Sequence, residues 1–143
     1  MTAERALTAG RLRRLDMSGL VAIHQELMAR YGSKLNSEKS KDVDMAMLEL
    51  SIARSELVVR ERHWRSRARL AAGYGWRILT NRPFAVGNKR TALAAMVTYL
   101  EMNDLTWQCG EVEETVMVQR AAAKGMTEDE WEAWVLRNVG KKQ

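Results

Sequence analysis

Ten consecutive residues, Arg82-Pro83-Phe84-Ala85-Val86-Gly87-Asn88-Lys89-Arg90-Thr91, carry most of the chemistry that this 143-residue sequence offers. They hold its only Pro and its only Phe, and they run into the most regularly helical segment of the chain. Backbone N–H groups in the first turn of a helix lack internal partners and sit at the positive end of the helix dipole. Such a turn is an anion site in waiting. Gly87 lets the backbone approach a ligand closely, and Lys89 and Arg90 add two charges, the arginine being able to hold a phosphate with two parallel hydrogen bonds. The same residues also read as a helix start that is merely basic.

The elements that must position this turn are helical. A single Pro, few Gly residues inside segments and the absence of strand alternation predict an all-α protein. Asp16 or Ser18 caps a first helix that carries Leu20, Ile23, His24, Leu27, Met28 and Tyr31 on one face, with Gly32 just past its end. A polar connection from Gly32 to Lys41 follows. A second helix is then expected from Asp42 to about Arg60, with Val43, Met47, Leu50 and Leu57 at near-helical spacing. Leu70, Tyr74, Trp76, Ile78 and Leu79 belong to a third helix, which stops near Asn81 because Pro83 disfavours helical backbone in the residue before it. After a loop over Arg82 to Val86, the central helix spans Asn88 to Asn103, with Ala92, Ala95, Met96, Tyr99 and Leu100 on a narrow apolar face. Val112 to Lys124, closed by Gly125, forms the next helix. In the last one Thr127 and Glu130 make a capping box, and Trp131, Trp134 and Val135 face the core. No repeat or domain boundary interrupts the pattern, so residues 1–143 are expected to form one compact bundle of about six helices.

Composition sets the outer limits. A lone Cys109 excludes an internal disulfide and a cysteine-rich zinc site and fits a reducing cytosol. Cys109 has no neighbour that lowers its pKa and is given no role. There is no 18-residue apolar run and no secretory leader, so a soluble cytoplasmic protein with no membrane contact is expected. The net charge of +5 conceals an asymmetry of +9 over residues 1–90 against −4 over 91–143. Arg60, Arg62, Arg65, Arg67 and Arg69 form a basic stripe that would attract an acidic protein or a phosphate backbone, or that stands as a solvated helix face. A nucleic-acid partner is not expected, because that reading rests only on charge with Trp64 as the one aromatic nearby.

The segment Arg82 to Arg90 resembles the signature of the Fic/Doc family, His-Pro-Phe-x-Asp-Gly-Asn-Lys/Gly-Arg, and the likeness continues through Thr91-Ala92-Leu93. Leu20 to Gly32, with Ile23-His24 and Tyr31-Gly32, is similar to the first helix of the Doc (death-on-curing) branch. Ser51-Ile52-Ala53-Arg54 stands where that branch often has Ser-Ala-Leu-Ala-Arg. Lys89 points to the Doc branch, since adenylylating Fic proteins usually have Gly there. The resemblance implies a Fic/Doc-like bundle and a growth-inhibiting toxin of a bacterial or phage toxin-antitoxin pair. Such enzymes transfer a phosphoryl group, or AMP in the Fic branch, from ATP with Mg²⁺ to a hydroxyl of a protein. For the Doc branch that protein is a translation factor such as elongation factor Tu. It further implies that Gly87, Asn88, Lys89 and Arg90 hold the nucleotide phosphates. The implied partner is an acidic antitoxin whose tail folds as a helix on the toxin, with Arg60, Arg62, Arg65 and Arg69 as the candidate docking surface. The inhibitory Ser/Thr-x-x-x-Glu-Gly motif is not present in this chain.

Two departures from the signature bear on catalysis. Arg82 stands at the position of the family histidine, and a guanidinium does not accept a proton near neutral pH. Val86 stands at the position of the metal-binding acid, and its side chain has no oxygen to give to Mg²⁺. Both functions are central to phosphoryl transfer, so the chain is expected to be inactive as it stands. His24 and His63 are the only possible replacement bases, and both lie far along the chain from the motif. His24 is read as a core or helix-face residue. A non-catalytic interaction module on the same fold is the alternative.

Overall fold

The computed structural model describes residues 15–31, 42–53 and 64–141. Within them the chain forms α1 (Met17–Tyr31), α2 (Met45–Ala53), α3 (Trp64–Asn81), α4 (Asn88–Met102), β1 (Leu105–Trp107), α5 (Glu111–Ala122), α6 (Glu128–Arg137) and β2 (Val139–Lys141). The all-α architecture is as expected. The Gly32 to Lys41 connection, Arg54, Leu57, Arg60, Arg62 and His63 lie outside the described residues.

Asp16 caps α1. Its Oδ1 accepts hydrogen bonds from the Gly19 N–H at 2.8 Å and the Ser18 hydroxyl at 2.9 Å, and these hold its carboxyl below the usual range. Just ahead of the cap, the Leu15 N–H donates to the Tyr74 hydroxyl, which in turn donates to the Leu15 carbonyl. That exchange ties the start of α1 to α3. Leu20 and His24 are buried, but Tyr31, expected on the apolar face, is 55% exposed.

α2 begins three residues later than predicted. Residues Asp42 to Asp44 are extended because they pair with the motif loop: the Asp44 N–H donates to the Pro83 carbonyl and the Ala85 N–H to the Asp42 carbonyl, with Val43 bridged to Phe84. Asp44 then caps the helix through the Met47 N–H. The buried residues are Leu48, Ser51 and Ile52, whereas Leu50 is 61% exposed. The near-helical spacing of Val43, Met47 and Leu50 therefore identified the wrong face, since Val43 belongs to no helix.

α3 starts at Trp64 and takes Arg65, Arg67 and Arg69 into its first turns. It ends at Asn81, where Pro83 predicted the stop. α3 packs against α4 and α6 around Gly75, where an added Cβ would lie 3.1 Å from the Trp131 ring and 3.5 Å from the Met96 sulfur. Ala92, Ala95, Met96, Tyr99 and Leu100 of α4 are all buried, as are Trp131, Trp134 and Val135 of α6. The Trp131 indole N–H donates to the Ala72 carbonyl at 2.9 Å, satisfying its one polar atom inside the core. Trp134 packs at a tilt against Trp131 and meets Trp107 edge-on, extending the same core toward β1.

The short antiparallel pair, with Leu105 opposite Lys141 and Trp107 opposite Val139, was not predicted. Strands of three residues are too short to show an alternation. Cys109 follows β1. Burial and the neighbouring Glu113 carboxylate push its thiol up to about 11, so it is no nucleophile near neutral pH. Among the described residues no helix is long and apolar enough to cross a membrane.

Candidate functional site

The motif loop is built from three sides. From within, Asn88 Nδ2 donates to the Phe84 carbonyl at 2.7 Å while its Oδ1 accepts from the Phe84 N–H at 3.1 Å. This fixes the five-residue turn. From α2, the Asp42–Asp44 segment pairs with Pro83 and Ala85. From α1, His24 lies flat on Phe84, with ring centroids 4.0 Å apart and planes 9° from parallel. The His24 Nε2–H donates to the Val86 carbonyl at 2.9 Å.

His24 is thus a buried residue, as expected, but it is not remote from the motif. The fold carries α1 beneath the loop, and sequence distance concealed this. Burial lowers its pKa, with the Val86 hydrogen bond acting in the opposite direction. Its Nε2 is committed to a backbone carbonyl, so the ring is placed to hold the loop rather than to take a proton from a substrate. Gly87 has a left-handed φ of 84°, which disfavours other residues. The space that a Cβ would occupy there is filled by Met28, whose Cε lies 2.5 Å from that point. The glycine therefore admits α1 from below.

Gly87 is also the N-cap of α4, and no side chain caps this helix. The first-turn N–H groups of Asn88, Lys89 and Arg90 open toward a cleft of about 540 Å³, lined by Met28 and Tyr31 of α1, Leu79 of α3, Arg82 and Ala85 to Arg90 of the motif, and Gln119, Ala122 and Ala123 at the end of α5. Arg82, Lys89 and Arg90 are exposed on it, and the Arg90 guanidinium lies 4.2 Å over the Tyr31 ring. That contact explains why Tyr31 stays at the surface: its ring forms a platform for a cation.

The structure therefore brings Arg82, Val86, Gly87, Asn88, Lys89 and Arg90 to one cleft, but gives them different work. Asn88 is buried, at 8% exposure, and its side chain is used by the loop, leaving its backbone N–H as what it could offer a ligand. Met28 and Tyr31, read in the sequence as part of the apolar face of the first helix, join the site together with Gln119, which the sequence did not single out. The described part of the basic stripe, Arg65, Arg67 and Arg69, is elsewhere. Arg69 is ion-paired with Glu132 of α6 at 3.1 Å, Arg65 lies over the Trp64 ring, and the Arg67 Nη1 donates to the Asn103 carbonyl at 2.6 Å, closing the end of α4. Neither Arg65 nor Arg69 lines the cleft.

The donor set fits phosphate and does not fit a divalent metal. Among the described residues no Asp or Glu lines the cleft, and no cluster of three His, Cys, Asp or Glu side chains could hold a metal ion. A helical bundle whose central helix opens, uncapped and basic, from a glycine-led loop into a cleft has the donors and the charge that an anionic ligand would need. This chain belongs to the Fic/DOC family, whose model matches residues 14–100 and so takes in the motif loop and nearly all of α4. The family is one of nucleotidyl- and phosphoryl-transfer enzymes. No curated protein matches the chain.

Proposed function

We propose that this protein is a Doc-like member of the family whose cleft holds the phosphates of ATP on the Gly87–Arg90 turn, and that it lacks transferase activity as it stands. The observation that carries this reading is the cleft itself, where Arg82, Lys89 and Arg90 surround an uncapped helix start while no side chain among the described lining residues is a general base or a carboxylate ligand for Mg²⁺. Arg82 occupies the place of the general base and Val86 that of the metal-binding acid. His24 does not substitute for the base, because its Nε2 is bonded to Val86.

The ancestral role is that of a growth-inhibiting toxin acting on a hydroxyl of a translation factor such as elongation factor Tu, held in check by an acidic antitoxin with a helix-forming tail. The test is restoration. Arg82→His with Val86→Asp is expected to produce ATP- and Mg²⁺-dependent modification of elongation factor Tu and arrest of growth, relieved by co-expression of the antitoxin. Restored protein that binds ATP with Mg²⁺ yet modifies nothing and leaves growth unchanged would count against a disabled toxin. A second reading, a non-catalytic interaction module in the cytoplasm, is favoured by one observation. The His24 and Asn88 hydrogen bonds that shape the loop are made although Arg82 and Val86 stand where a base and a metal-binding acid would act. Under that reading the restored protein stays inert while a partner protein copurifies with both forms.

A further inference from the structure

We propose, resting on the phosphate-binding reading of the cleft, that it takes a triphosphate chain free of divalent metal in preference to its Mg²⁺ complex. Arg82 supplies the positive charge that a metal supplies in other phosphoryl-transfer sites.

The inventory of oxygen donors leads to this conclusion. Mg²⁺ requires oxygen ligands in near-octahedral array, ordinarily including one or two carboxylates. Among the described residues the cleft has no carboxylate. Of the neutral oxygens close to the helix start, the Val86 carbonyl is bonded to His24 and the Asn88 carboxamide oxygen to the Phe84 N–H. The remaining side-chain oxygens on the lining are the Tyr31 phenol and the Gln119 amide, both uncharged. Three cationic side chains face the same space, and no acid among the described lining residues neutralises them.

Charge then decides the preferred form of the ligand. A bound Mg²⁺ cancels two negative charges of a triphosphate, and in a site whose own charge is positive this removes attraction without adding a protein ligand for the metal. Sites that grip the metal through an acid show the reverse, with the metal as part of the contact. Arg82 is the residue that most alters this balance. It projects from the loop onto the cleft that Lys89 and Arg90 border from the helix, so that a chain of phosphates lying across the helix start meets cations on both sides. A planar guanidinium can bond two phosphate oxygens at once.

The experiment is calorimetric titration of the full chain with ATP, and separately with inorganic tripolyphosphate, in EDTA and in saturating MgCl₂ at matched ionic strength. Affinity is expected to be about five- to tenfold weaker with Mg²⁺, the effect of losing two ionic contacts at an exposed site. Both ligands should show the same ratio, because the contacts are with the phosphate chain. Arg82→Gln, a change at an exposed position, should weaken the metal-free complex about threefold and narrow the gap between the two conditions. Equal or tighter binding with Mg²⁺ overturns the inference and leaves the phosphate-binding reading standing. A Mg²⁺ effect confined to ATP, or a gap that Arg82→Gln leaves unchanged, also overturns it. Absence of binding by either ligand in either buffer removes the phosphate-binding reading and this inference together.

Discussion

The starts of α4 and α6 meet one physical problem in opposite ways. At each, backbone N–H groups have no partner within the helix and a partial positive charge accumulates. α6 closes itself: the Thr127 hydroxyl accepts from the Glu130 N–H at 3.1 Å, the Glu130 carboxylate accepts from the Thr127 N–H at 2.9 Å, and Glu128, Asp129 and Glu130 all lie in the first turn. The hydrogen bonds from Thr127 hold the Glu130 carboxyl below its usual range. α4 is left open, with a glycine at the cap, no capping side chain and Lys89 and Arg90 in a first turn that contains no acid. One start uses its donors and its dipole to stabilise the helix. The other has no side-chain cap to use them, and relies on His24, Asn88 and the segment before α2 to hold the loop in place.

This comparison can be broken or sharpened by four experiments. The largest effect is expected at the support of the open start. Asn88→Ala removes two buried hydrogen bonds and strands the Phe84 N–H, for a loss of about 2–4 kcal/mol in denaturant unfolding. A loss under about 1 kcal/mol would mean that water takes over the bonds and that Asn88 is not the support.

At the closed start, Thr127→Ala is expected to cost about 1 kcal/mol in the same assay. It should leave the affinity for ATP unchanged. Any change in affinity would show that the two helix starts are not independent.

The sharpest contrast comes from making the open start resemble the closed one. Lys89→Glu places an acid in the first turn of α4 and is expected to raise stability by about 0.3–1 kcal/mol through the helix dipole, while abolishing detectable binding of the triphosphate. A variant that is less stable, or that still binds, would contradict the view that this end trades stability for an anion site.

The smallest effect is a dependence on pH. The fold holds His24 neutral with a lowered pKa, while the unfolded chain takes up a proton near the ordinary value of 6.5. Its contribution is therefore fully present above that value and is lost as pH falls below it. Stability of the native protein between about pH 7 and pH 5 should decline more steeply than that of His24→Gln. Parallel slopes would remove the ring from the account.

Much of the fold is legible in the residues. Pro83 ends α3, the alanine-lined face of α4 is buried, and Thr127 with Glu130 forms the capping box. These features depend on contacts within about one or two turns of chain, where spacing and residue type carry the information. The errors have a common origin. Val43 and Leu50 were put on a helical face because their spacing permits it, but Val43 is drawn into pairing with Phe84, a partner far along the chain. Arg69 reads as a free cation until α6 brings Glu132 beside it.

The candidate site divides in the same way. The amino-acid sequence by itself determined which groups are present: a glycine and two cations at a helix start, with an arginine where a base is needed and a valine where an acid is needed. Only the tertiary structure decided what surrounds them. It set His24 against Phe84, filled the space beside Gly87 with Met28, placed Tyr31 beneath Arg90, and brought no carboxylate of the described residues to the cleft lining. The chemical capacity of a side chain is local to its residue, but its partners, its burial and the charge around it depend on elements that meet only when the chain packs.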